Sequence, residues 1–178
     1  LIPTIFLKKN EIIESELQND VLYERLKDVN IDKYTSFAWD RGDRTALRIK
    51  EINPDINYHI TKNNLSVIID DTIFNNEYLI FSEYAAVKNT IYIYRRCINE
   101  EFIPAIPEKY KEWRDFEKLR NVFICHEYYH HLEINDIGLT AELKKIEVAF
   151  GLFKVKRKIK ALNEIAAHAF TKRFLDIN

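Results

Sequence analysis

The run His126-Glu127-Tyr128-Tyr129-His130 constrains this chain more than any other stretch, because it sets metal-binding side chains inside a segment patterned as a helix. Phe116, Leu119, Val122, Phe123 and Cys125 recur at helical spacing and predict one helix over about 113–132. Residues four apart share a helical face, so His126 and His130 stand one turn apart and continue the line through Leu119, Val122 and Phe123. Both imidazoles therefore point inward. Buried polar groups need partners. One metal ion satisfies both histidines, with Glu127 beside it to take a proton from a bound water. The bland alternative is two unrelated histidines on an amphipathic helix.

Composition sets wider bounds. The 178 residues are 47% hydrophobic, enough to give one domain over 1–178 a sizeable core. Only 3 Gly and 4 Pro occur, so regular structure should dominate over flexible linkers. A formal net charge of -1 removes any whole-chain electrostatic case for nucleic acid or an anionic membrane. No apolar run approaches the ~20 residues of a membrane span. The N-terminus carries no signal-peptide pattern, although a chain that begins at Leu1 and holds no Met leaves room for residues upstream. Cys97 and Cys125 make no disulfide framework, and Cys125 falls inside the motif helix, where a buried thiol is the ordinary role. A reducing, cytoplasmic compartment is expected.

The rest of the chain reads as α+β. Asn10 offers an N-cap, and Ile12, Ile13, Leu17, Val21, Leu22 and Leu26 predict an amphipathic helix over 10–27. Asp40-Arg41-Gly42-Asp43 predicts a turn, with a short helix over 45–52 after it, although alternation there also permits a strand. From 56 to 95 the texture is β. Ile56, Tyr58 and Ile60 alternate with polar residues, Val67-Ile68-Ile69 is a short apolar run, and Ile91-Tyr92-Ile93-Tyr94 is the clearest strand. Breaks at Asn63-Asn64, Asn75-Asn76 and Lys88-Asn89 separate these runs and imply a small, mostly antiparallel sheet. His59 falls in one of its strands and reads as a structural or surface side chain. Residues 134–138 end the motif helix, Thr140 caps a further helix ending at Gly151, and Leu162, Ile165, Ala166, Ala169 and Phe170 stripe a last helix over 158–175. A helix-plus-sheet subregion (10–100) thus precedes a helical metal-site subregion (108–178).

A catalytic zinc takes three protein ligands and keeps a position for water. Asp136 lies six residues after His130, as in HExxHxxGxxH proteases, but Glu133 replaces the required glycine and the absence of Met excludes their methionine turn. His131 lies about 100° around the helix from His130, so sharing one metal with it is hard; a role at a cleft rim, stabilising an oxyanion, stands beside that of a plain surface histidine. Glu164, with His168 four residues on and alanines at 161, 166, 167 and 169 allowing close helix approach, is the favoured third ligand, with His168 hydrogen-bonding a ligand from behind.

The pattern His126-Glu127-x-x-His130 followed by Glu164-x-x-Ala167-x-x-Phe170-x-x-x-Phe174-Leu175 resembles the ImmA/IrrE family of zinc peptidases over roughly 90–175. The resemblance implies a zincin-like fold, with a small sheet packed on the HExxH helix and a C-terminal helix carrying the glutamate ligand. It also implies an edge strand at Ile91, Tyr92, Ile93 and Tyr94, and cytoplasmic action on transcriptional repressors. The sequence departs from the family in its two motif tyrosines, in His168 where Asn or Asp is customary, and in a long spacing from His130 to Glu164.

The expected function is zinc-dependent hydrolysis of a peptide bond, with Zn2+ on His126, His130 and Glu164, Glu127 as the base, and 91–94 pairing with an extended substrate. Two other classes compete: a zinc-bearing sensor or interaction domain without turnover, and a nucleic-acid module using the basic run 154–160. The second is disfavoured by the overall charge balance. Oligomeric state is not legible.

Overall fold

Apolar residues three and four apart fold the first third of the chain into helices. The structure is a computed structural model and describes residues 3–72, 79–151 and 153–177. Helix α1 (Lys9–Gln18) buries Ile12 and Leu17, and α2 (Tyr23–Leu26) buries Leu26. The single helix expected over 10–27 is therefore interrupted. The Asp20 carboxylate accepts from the Leu22 amide at 2.9 Å, a local bond that favours a turn over a continued helix.

Helix α3 (Asp32–Ile52) runs straight through Asp40-Arg41-Gly42-Asp43, so the expected turn does not occur and the helix expected at 45–52 is only its last part. The stretch expected as a strand at 56–60 is also helical. In α4 (Ile56–Lys62), Asp55 caps the N-terminus by accepting from the Asn57 amide, and Ile56, His59 and Ile60 are buried on one face. Alternating Ile56, Tyr58 and Ile60 suit either period, and the helical one prevails because His59 turns inward with its neighbours. His59 Nε2 donates to the Asn53 carbonyl at 2.7 Å, a structural role in a helix and not in a strand.

Strands β1 (Ser66–Asp70), β2 (Ser82–Ala85) and β3 (Thr90–Tyr94) form a sheet in the order β1-β3-β2. It is mixed rather than mostly antiparallel: β1 runs parallel to β3 and β2 antiparallel to it. The Asn63-Asn64 and Lys88-Asn89 breaks are real turns, with Asn64 and Asn89 at φ 52° and 47°. The Asn75-Asn76 break lies outside the described residues.

After β3 the chain passes through the short α5 (Arg95–Cys97) and a π-turn at Ile98–Phe102, then reaches α6 (Phe116–Leu132). Asp115 caps α6 by accepting from the Lys118 amide at 2.9 Å. A π-turn at Glu133–Ile137 prolongs α6 to Gly138, at φ 78°. Helix α7 (Thr140–Leu143) is all that forms of the helix expected to end at Gly151. Strands β4 (Ile146–Phe150) and β5 (Phe153–Arg157) instead make an antiparallel hairpin. Buried Ile146 and Val148 alternate with exposed Glu147 and Ala149, a period of two, and Gly151 adopts φ 61° in the turn.

The last helix, α8 (Ala161–Phe174), matches the expected C-terminal helix and packs on α1, α3 and α6. Gly42 serves this packing: a Cβ there would lie 2.0 Å from the Ala166 carbonyl oxygen and 3.0 Å from Ala169 Cβ. The architecture is α+β, and one apolar cluster from Ile5 to Phe174 joins the 10–100 and 108–178 subregions. Among the described residues no helix is long and apolar enough to cross a membrane.

Candidate metal centre

Helices α6 and α8 bring three donor atoms to one point. His126 Nε2 lies 3.1 Å from Glu164 Oε2, His130 Nε2 lies 3.2 Å from His126 Nε2, and His130 Nε2 lies 3.4 Å from Glu164 Oε2. Bonds of about 2.0–2.2 Å to a tetrahedral zinc would set ligand atoms about 3.3–3.5 Å apart, close to this triangle. The donor set of two imidazoles and a carboxylate also suits that ion. These residues could hold a metal; among the described residues no other group of three His, Cys, Asp or Glu side chains converges in this way.

Electrostatics tie the three together. Burial opposes a charge on His130, but hydrogen bonds to Glu133 and Glu164, with the charges of Glu164 and Glu127, outweigh it and raise its pKa well above 6.5. Burial likewise opposes ionisation of Glu164, yet bonds and charges from His126 and His130 hold its pKa well below 4.5.

Glu133 is the residue that sequence reasoning missed. It is 1% exposed, and one oxygen accepts from the Thr140 amide (2.8 Å) and hydroxyl (2.5 Å). The other faces His130 Nδ1 at 3.2 Å, so a proton on Nδ1 has an acceptor and Nε2 is the nitrogen that can ligate once its own proton has left. The available signal was an acid three residues beyond His130, on its own helical face.

Glu127 is buried on the cleft wall, where the Ser82 hydroxyl donates to its Oε1 at 2.6 Å. Ser82 opens strand β2, and no sequence signal linked it to the motif. The cleft itself, of about 810 Å³, is lined by 79–84 of the sheet side, by the N-terminal 3–5 and by α6 and α8.

Other expected site residues fall elsewhere. His168 lines the cleft and its ring packs edge-on to His126 at 4.8 Å, but its hydrogen bond goes to Glu16 of α1 at 3.1 Å and not to a metal-site residue. Burial lowers its pKa, with Glu16 pulling the other way. His131 is not at the cleft rim: it is buried, its Nδ1 meets the Tyr84 hydroxyl at 2.9 Å, and burial lowers its pKa. Asp136 pairs with Arg48 at 3.4 Å, away from the triangle. Ile91, Tyr92, Ile93 and Tyr94 do not form an edge. β3 is central, with both sides paired, so the strand left with an open edge along the cleft, among the described residues, is β2. The basic run 154–160 forms β5 and its exit, with Lys158 paired to Glu142. Cys97 and Cys125 are free and buried, and burial pushes the Cys125 thiol up.

No family model, no curated protein and no solved structure matches this chain.

Proposed function

We propose that this protein is a zinc-dependent endopeptidase of zincin-like build, acting in the cytoplasm on a protein substrate, with transcriptional repressors as the class the ImmA/IrrE resemblance suggests. The observation that carries this reading is the triangle of His126 Nε2, His130 Nε2 and Glu164 Oε2, beside the Glu127 carboxylate in one cleft. Zinc held by His126, His130 and Glu164 would supply a Lewis acid and would acidify a water to a pKa of about 7. Glu127 is placed to take a proton from an attacking water and return it to the leaving amine, and Ser82 holds its carboxylate in place. Glu133, facing His130 Nδ1, would hold the ring's remaining proton there and leave Nε2 as the ligating nitrogen. The open edge of β2 offers main-chain hydrogen bonds to an extended substrate, the role first expected of 91–94.

The test is E127Q. The variant should bind zinc like the parent while cleavage of an unfolded protein falls about 10²–10⁴-fold. Cleavage at the parental rate would remove Glu127 from the role of base. Loss of zinc alongside activity would make it a metal-site residue instead.

A further inference from the structure

Two hollows meet at Glu164, and charge divides between them. The larger is the cleft already described. There Glu16, Glu83 and Glu101 join Glu127 and Glu164, and none of the described lining residues is Lys or Arg. A divalent ion would offset Glu127 and Glu164; of the other three, Glu16 is hydrogen-bonded to His168 and Glu83 accepts from the Tyr94 hydroxyl, and neither bond adds a Lys or Arg to that side. Phe81, Phe102 and Phe123 pack ring to ring in the same wall, with Phe102 5.1 Å from each of the others, and give the cleft an apolar stretch alongside the acids. The smaller hollow, of about 580 Å³, lies between α7, β5 and the start of α8. Lys145, Lys156, Arg157, Lys158 and Lys160 line it. Among its described residues the acids are Glu164 and Glu142, and Glu142 already pairs with Lys145 and Lys158.

The chain as a whole carries a net charge of only -1, so this separation is local and not a surplus of either sign. Clefts lined by one sign concentrate ligands of the other and set their orientation. A peptide laid along β2 and across the triangle meets acids and aromatic rings on one side and lysines on the other.

We propose that the cleft takes an extended peptide of divided charge: a large apolar side chain with Lys or Arg beside it over the acidic hollow, and Asp or Glu beyond the reacting bond over the basic one. The choice of substrate class rests on the peptidase reading. Each exposed pair contributes a factor of roughly two to five, so several acting together give selection of about tenfold or more.

The probes are short fluorescein-labelled peptides sharing one central Phe. Two have divided charge in opposite orders, and the others are all cationic, all anionic or neutral. Fluorescence anisotropy reads their binding to the zinc-loaded E127Q protein. One divided order should bind about tenfold tighter than every uniform peptide, and high salt should erase the advantage. The double variants E83K/E101K and K156E/K160E should each remove it from one side. Equal affinity for all peptides, a preference for a uniform charge, or no binding at all would overturn the proposal. So would displacement of the peptide by a single-stranded oligonucleotide, which would assign the basic hollow to nucleic acid. Casein cleavage by the parent separates the two readings. Cleavage without charge selection would sink divided recognition alone, whereas selective binding without cleavage would sink the peptidase reading alone.

Discussion

Replacing Gly42 by alanine sets two effects of opposite sign against each other. In a helix interior alanine is better than glycine by about 1 kcal/mol, and Gly42 lies in the middle of α3, so propensity alone predicts a more stable protein. The contact with α8 predicts the reverse. The added Cβ would sit 2.0 Å from the Ala166 carbonyl oxygen and 2.9 Å from its carbon, where ordinary contact begins at 3.4 Å. The helices must part locally by roughly 1.4 Å. The obstacle is backbone, which cannot swing aside as a side-chain tip can, so the cost belongs near the upper end of the about 1–3 kcal/mol typical of overpacking. The net loss is about 2 kcal/mol, a substantial part of the roughly 5–15 kcal/mol that holds a domain together. Glu164 stands two residues before Ala166 on the same helix, and its Oε2 must stay within 3.1–3.4 Å of two imidazole nitrogens. Metal ligands tolerate displacements of only about 0.2 Å. G42A should therefore lower the urea midpoint and weaken zinc binding about tenfold or more in a chelator competition. A G42A protein as stable as the parent, with unchanged zinc affinity, would refute the close approach of α3 and α8.

Three further outcomes follow from the site. E133Q should weaken zinc binding about 10- to 100-fold, because an amide NH₂ facing His130 Nδ1 drives the ring proton to Nε2; imidazole ¹⁵N shifts should report that tautomer, and unchanged affinity would detach Glu133 from the site. S82A should keep its zinc but lose roughly two- to tenfold in cleavage rate, whereas loss of zinc would show that Ser82 supports the metal and not Glu127. Zinc must displace the His130 proton, so its apparent affinity should rise about tenfold per pH unit from 6.5 until the raised His130 pKa is passed. Without zinc the sign reverses. The raised His130 pKa gives stability that is complete below 6.5 and lost as pH climbs through the folded value, while the depressed Glu164 pKa gives stability present above 4.5 and lost as pH falls through its folded value. Thermal unfolding of metal-free protein across pH 4 to 9 reads that window, and a flat profile would contradict it.

The three candidate ligands were legible because helical spacing alone aligns His126 with His130, and a striped C-terminal helix offers one acid at a small-residue face. The strands at Val67-Ile68-Ile69 and Ile91-Tyr92-Ile93-Tyr94 were legible from β-branched and aromatic runs. Their pairing was not, since a parallel partner is a long-range choice that local pattern does not encode. Gly42 reads as a turn because glycine's service to a neighbouring helix leaves no trace in its own segment. Ile56, Tyr58 and Ile60 satisfy two periods at once. Ile146 and Val148 show period two only over a span too short to outweigh the helical reading from Thr140. Glu133 and Ser82 escaped notice for a related reason: an orienting residue is defined by what it touches, and Ser82 lies far from the motif in sequence.

Helix α8 does more than carry Glu164. Lys172 on the same helix donates to the carbonyls of Ile5 and Leu7, His168 takes Glu16 of α1, and Ala166 receives α3. One element of 14 residues thus anchors the candidate metal ligand, the N-terminal wall of the cleft and helix α3 at once. An ion bridging α6 and α8 would close a loop of chain between His126 and Glu164 and restrain that anchor against the rest of the molecule. Metal occupancy would then be felt at the N-terminus: the cleft wall at Pro3, Thr4 and Ile5 is held by the same helix that the ion holds. If the triangle holds an ion, chelation should loosen not only the triangle but the wall of the cleft around it.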